Sequence, residues 1–194
     1  TNVSVEETSF DNGKMYVAWS KPTELDTVLI PGPYQYRINR KNNSSGSNFT
    51  ELETYYHLND TIFEDVLLNT RDLQYSYRID LYHGDPSNPE KVGSTVVAPS
   101  IYLKTFGTDK AIELSWNDDI PWKNEEFVIY RLNDQTQVFD SIGLSYQSFY
   151  ADTGLINGKF YCYKIKTLGR YASPGIINPI VNWSQFTCDR PVDN

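Results

Sequence analysis

Apolar and polar residues alternate along this chain over short windows, and the period is two. Met15-Tyr16-Val17-Ala18-Trp19 and Ala111-Ile112-Glu113-Leu114-Ser115-Trp116 each end in tryptophan, and each is followed at a distance by a tyrosine-rich run, Tyr75-Ser76-Tyr77-Arg78-Ile79 and Tyr161-Cys162-Tyr163-Lys164-Ile165. Alternation places residues i and i+2 on one face of a strand. A Trp-ended strand followed by Tyr-x-Tyr-x-Ile, occurring twice, is an internal repeat and predicts two similar β-units. No window carries a sustained 3.6-residue stripe, so no long helix is expected.

The pattern predicts strands near Val3–Phe10, Lys14–Ser20, Tyr34–Arg40, Phe49–Tyr56, Thr61–Asp65, Tyr75–Tyr82 and Lys91–Val97. A second set lies near Ile101–Phe106, Ala111–Trp116, Glu126–Leu132, Val138–Ile142, Ser148–Ala151, Phe160–Leu168 and Trp183–Cys188. Turn signals separate them: Asp11-Asn12-Gly13 reads as a hairpin turn at positive φ, Pro31-Gly32-Pro33 as a loop, and Asn42 to Asn48 as a polar tip. The expected fold is all-β: two tandem seven-stranded antiparallel β-sandwiches, residues 1–98 and 99–194, joined at Val97-Ala98-Pro99-Ser100. So short a linker, stiffened by proline, limits swing between the units.

Composition narrows the function classes. The chain has 194 residues, 39% hydrophobic and 14% aromatic, with 15 Tyr and one Met. That suits half-buried strands, in two units of about 95 residues each. Net charge is −8, with 17 Lys+Arg scattered among 25 Asp+Glu. A nucleic-acid partner needs a basic stripe, so none is expected. No apolar run approaches the length of about 20 residues that spans a bilayer, so no membrane insertion is expected.

The two cysteines, Cys162 and Cys188, both fall in the second half. Cys162 alternates with Tyr161 and Tyr163 and so points outward. A bridge to Cys188 would staple neighbouring strands at the base of the long excursion Gly169 to Asn182; two free buried thiols are the alternative. A bridge implies an oxidising, exported setting.

Trp116, Phe127-Val128-Ile129-Tyr130-Arg131 and Tyr150-Ala151-Asp152-Thr153-Gly154-Leu155, with Tyr161 six residues further on, resemble the fibronectin type III family. The resemblance implies core tryptophans at Trp19 and Trp116. It also implies tyrosine corners at Tyr75 and Tyr161, the latter bonding back to backbone near Leu155. The first half departs from the pattern, with Asp65-Val66-Leu67-Leu68 in place of Asp-x-Gly-Leu. A narrower resemblance rests on Tyr161-Cys162-Tyr163, Ser173-Pro174-Gly175-Ile176-Ile177-Asn178-Pro179 and Ser184-Gln185-Phe186-Thr187-Cys188-Asp189. These are similar to repeats in Bacteroidota surface proteins exported by the type IX system, including gliding-associated proteins with a type B sorting domain. That implies an extracellular, cell-surface location, an internal piece of a longer chain, and neighbouring domains of that chain as partners.

Catalysis has little support. His57 and His83 are isolated, without triad or metal spacing, and no cofactor is implied. Asp118, Asp119, Glu125 and Glu126 flank one loop where calcium ligands would have to converge, although a solvated acidic loop explains them as well. Trp122, Tyr171 and Trp183 are candidates for stacking on a glycan or contacting a protein; the alternative for Trp122 is packing on the linker or first unit, and for Trp183 packing the hairpin onto its own sandwich. Asn2, Asn42, Asn43, Asn48, Asn59 and Asn182 head Asn-x-Ser/Thr sequons, which mark glycans in a eukaryotic secreted chain. Asp26-Thr27-Val28, Asp60-Thr61-Ile62 and Asp140-Ser141-Ile142 resemble a bacterial O-glycosylation signal at Thr27, Thr61 and Ser141. The expected function is a non-enzymatic spacer and adhesion scaffold. The rivals are a glycan- or protein-binding module and an accessory region of a secreted hydrolase.

Overall fold

The computed structural model of the protein describes residues 1–43, 48–117, 119–172 and 178–193. Among these residues it is all-β, with sixteen strands and no helix. The first half holds β1 (Asn2–Glu7), β2 (Gly13–Ala18), β3 (Tyr34–Asn42), β4 (Thr50–Tyr55), β5 (Ile62–Leu68), β6 (Tyr75–His83), β7 (Glu90–Ser94) and β8 (Ala98–Pro99). The second holds β9 (Leu103–Thr108), β10 (Ala111–Trp116), β11 (Lys123–Leu132), β12 (Phe139–Ser145), β13 (Phe149–Thr153), β14 (Tyr161–Arg170), β15 (Ile180–Trp183) and β16 (Thr187–Asp189).

Pairing is antiparallel throughout, and the halves repeat one order. A three-stranded sheet β1-β2-β5 packs on β4-β3-β6-β7, with β8 also on β6; a three-stranded sheet β9-β10-β13 packs on β12-β11-β14-β15, with β16 also on β14. The alternation decides which side chains enter each core. Met15, Val17 and Trp19 meet Tyr36, Ile38, Tyr77 and Ile79 in one cluster, and Ile112, Leu114 and Trp116 meet Phe127, Ile129, Tyr163 and Ile165 in the other. Trp19 packs edge-on to Tyr36 at 5.5 Å between centroids, and Trp116 tilts against Phe127 at 5.0 Å. Such ring pairs add roughly 0.5–1.5 kcal/mol beyond their buried area.

Two expectations are corrected. The last strand of each half is not one run but two short pieces, because a hydroxyl residue breaks it. Thr95 N–H donates to Ile79 O at 2.8 Å while its Oγ1 accepts from Ile79 N–H at 3.1 Å. Ser184 repeats the device on Ile165, at 2.9 Å for both bonds. The second correction concerns Asn12-Gly13, where neither residue takes positive φ. Ser9 Oγ accepts the Asp11 and Asn12 N–H groups at 3.3 and 3.2 Å instead, and Gly13 is needed because a Cβ there would meet the Leu68 carbonyl at 2.5 Å.

The stretch between the halves is structured. Tyr77 pairs with Ala98 and Ser76 with Pro99, Ser100 N–H donates to Tyr75 O at 2.8 Å, and Ile101 is fully buried in the second core. The polar tip expected between Asn42 and Asn48 falls largely outside the described residues, as do Asp118 and 173–177 of the excursion.

Candidate functional site

The two halves meet edge to edge, and this junction gathers the candidate aromatics. In β1 the burial is two-sided: Val3 and Val5 face their own core, while Ser4, 6% exposed, faces β15. Its Oγ accepts the Trp183 N–H at 2.8 Å, and Thr8 Oγ1 accepts the Phe186 N–H at 3.3 Å. Asn182, fully buried, sets its side-chain amide against Val3 O at 3.0 Å and Val181 O at 3.2 Å, and its nitrogen is assigned to that side because an oxygen there would face only acceptors. Side chains of the first half thus satisfy backbone donors on the outer edge of the second, where an unpaired N–H would otherwise be left.

Trp122 and Tyr171 lie inside this junction. Trp122 is 6% exposed and packs with the first half's core, its ring 6.0 Å from Tyr171 and its Nε1 donating to Asn124 Oδ1 at 3.0 Å. Tyr171 donates to Thr1 O at 3.3 Å, and burial pushes its phenol up to about 12. Ile180, 7% exposed, completes the packing. Of the two readings of Trp122, the structure takes packing on the first half: the ring is covered by that half and has no open face for a sugar.

Trp183 is placed differently. It lies on the outer face of the β14 sheet, its ring 5.2 Å from Tyr130, with Lys164 Nζ 4.5 Å and Lys166 Nζ 5.7 Å from its centroid. Lys164 Nζ is also 4.7 Å from the Phe139 ring, and Phe139 sits 6.1 Å from Phe186. Beside this row runs a groove of about 620 Å³, walled by β1 and Tyr16 on one side and by Phe139, Lys164, Trp183 and Phe186 on the other. Burial lowers the Lys164 pKa, and among the described residues no carboxylate stands within ion-pair distance of Lys164.

Among the described residues, the carboxylates of the acidic loop do not converge. Asp118 lies outside the described residues, Asp119 is exposed, and Glu126 is half-buried. Glu125 occupies a register break between Asn124 and Glu126 and reaches Arg170 at 2.7 Å. Among the described residues no group of three or more His, Cys, Asp or Glu side chains could hold a metal ion. His57 is exposed, and His83 sets Nδ1 3.1 Å from Pro31 O. Thr27 and Ser141 are exposed, and Thr61 is half-buried.

Cys162 and Cys188 form a disulfide, with Cα atoms 4.0 Å apart as directly opposed residues of β14 and β16. Tyr161 Oη accepts the Ile156 N–H at 3.1 Å, and the Asn69 backbone lies against the Tyr75 hydroxyl. Two buried triads were not anticipated. Tyr163 donates to Asp152 Oδ2 at 2.8 Å, and Arg131 Nη1 donates to the same oxygen at 2.7 Å. In the first half Tyr77 donates to Asp65 Oδ2 at 2.8 Å, and Arg40 Nη1 reaches both Asp65 oxygens at 2.8 and 2.9 Å. Each arginine also lies over a second tyrosine of its own half, Arg131 over Tyr161 at 5.7 Å and Arg40 over Tyr75 at 5.5 Å. The signal was present: a phenol on an inward face needs a buried acceptor, and each half supplies one aspartate on the facing strand.

No protein-family model matches the chain, and no curated protein matches it.

Proposed function

We propose that the chain is a non-enzymatic spacer and adhesion scaffold, built from two fibronectin type III-like domains and belonging to a larger secreted or cell-surface bacterial protein. The observation that carries this reading is the junction. Ser4, Thr8 and Asn182 tie β1 to β15 and its continuation while Trp122, Tyr171 and Ile180 fill the space beneath, so the halves hold one orientation. A fixed angle between units is what a spacer supplies to the domains attached to it. The repeated pairing of a three-stranded with a five-stranded sheet and the Tyr161 corner support the family likeness, and the disulfide is compatible with an extracellular location.

Spin labels on exposed Glu53 and Glu113, one in each half, test the reading by pulsed-dipolar distance measurement. A single narrow distance distribution is expected, broadened when Ser4 and Thr8 are both changed to valine. A broad distribution in the unaltered protein would remove the scaffold's mechanical basis.

A further inference from the structure

The groove along the junction holds a lysine, Lys164, with no ion-pair partner among the described residues. Lys164 is half-buried, its ammonium lodged between the rings of Phe139 and Trp183 at 4.7 and 4.5 Å, and among the described residues no carboxylate lies within ion-pair distance of it. The other charged group on the groove wall, Glu6, is already answered by Lys14 at 2.8 Å. An ammonium held partly out of water without a counter-ion costs free energy that an incoming anion would recover. The corresponding face of the first half shows the contrast. There Arg78 and Lys91 converge on Asp80 at 2.9 and 3.1 Å, so the cations are neutralised internally.

We propose that the groove between β1 and the Trp183 row binds a carboxylate-bearing saccharide, the carboxylate on Lys164 and the sugar rings against Tyr16, Trp183 and Phe186. Its volume of about 620 Å³ lies within the usual range for small-ligand sites. An acidic peptide shares the charge but fits less well. A peptide in such a groove adds as a strand, and the edge donors at Trp183 and Phe186 are already taken by Ser4 and Thr8. A pyranose needs no free strand edge; it needs apolar ring surface flanked by a few polar groups. This goes beyond the scaffold reading, which stands whether or not the groove is filled.

The test is calorimetric titration of the whole chain with oligogalacturonate, with a neutral cello-oligosaccharide and polyglutamate as comparison probes. Saturable binding of oligogalacturonate alone is expected, weakening with added salt and falling about tenfold in Lys164→Met, which removes one charge-assisted bond but keeps the stem. Trp183→Phe, which retains an aromatic ring, reduces affinity less. Arg37→Gln, on the first half's outer face, leaves it unchanged. Each variant's melting curve is compared with wild type, so that loss of fold is separated from loss of binding. Absence of saturable binding, equal binding of the neutral sugar, preference for polyglutamate, or binding that a folded Lys164→Met leaves intact would each overturn the proposal. The spin-label distances report on the scaffold independently of any of these results.

Discussion

Tyr163→Phe isolates one bond in the second core. Tyr163 is fully buried, and its hydroxyl donates to the Asp152 carboxylate at 2.8 Å. Burial first, and then the bond and charge of Asp152, drive the phenol pKa well above its ordinary value, so the group remains a donor at any working pH. Phenylalanine keeps the ring and opens no cavity, leaving Asp152 with Arg131 as its remaining side-chain donor, at 2.7 Å. A hydrogen bond to a charged group contributes roughly 1.5–3 kcal/mol, so a loss of about 2 kcal/mol is expected. Urea unfolding measures it as a shift in midpoint at constant slope. Calorimetry adds a second reading. If the junction makes the chain melt as one unit of this size, the midpoint falls by about 4–8 °C; if the halves melt apart, one of two transitions falls by about twice that. Tyr77→Phe perturbs the matching triad, and the double variant should be additive to within about 0.5 kcal/mol. A Tyr163→Phe variant within about 0.5 kcal/mol of wild type would refute the assignment of that bond.

Asp80 gives the acid limb. Burial alone would raise its carboxyl pKa, but bonds from Ser94, Arg78 and Lys91 outweigh it and hold the group below its usual range. A depressed folded value means this contribution is complete above the unfolded pKa of about 3.9 and is lost as pH falls through the folded one. Asp80→Asn should therefore destabilise at neutral pH and flatten the loss of stability in acid, and an unchanged acid slope by urea titration counts against it. The disulfide closes a separation of 26 residues, for which the chain-entropy relation gives about 3.5 kcal/mol. Non-reduced protein should show no titratable thiol, and the Cys162→Ser/Cys188→Ser protein should lose a comparable amount by urea unfolding; two free thiols before reduction would exclude the bond in solution.

Strands were legible where a residue's surroundings are set by its own sheet. Met15, Val17 and Trp19 alternate with half-buried neighbours, and Ile112, Leu114 and Trp116 with the exposed Glu113 and Ser115. The cross-strand disulfide was legible for the same reason, because Cys162 alternates with an inward Tyr163. The junction was not. Ser4 reads as an ordinary outward residue of a strand covered on one face, and its burial arises only when β15, far along the chain, is laid against it. Contacts of such sequence separation leave no period to read. Trp122 is legible only as two alternatives: a tryptophan after proline on a connecting segment has the composition of an exposed loop, and the neighbouring half that covers it decides for packing. Gln185 shows the same limit. It is 1% exposed because its amide bonds Leu103 N–H at 3.1 Å and Leu103 O at 2.7 Å, in the gap where the last strand breaks.

The covalent boundary near Pro99 and the boundary of self-sufficiency are different places. Cutting the chain there would leave the second half with Trp122 and Ile180 uncovered and the Trp183 and Phe186 amides without acceptors, and would strip β1 of its cover. Such a fragment presents raw strand edges flanked by apolar surface, a template for self-association. Expressed separately, each half would be prone to aggregate even with its own core intact, so the smallest well-behaved unit is the pair.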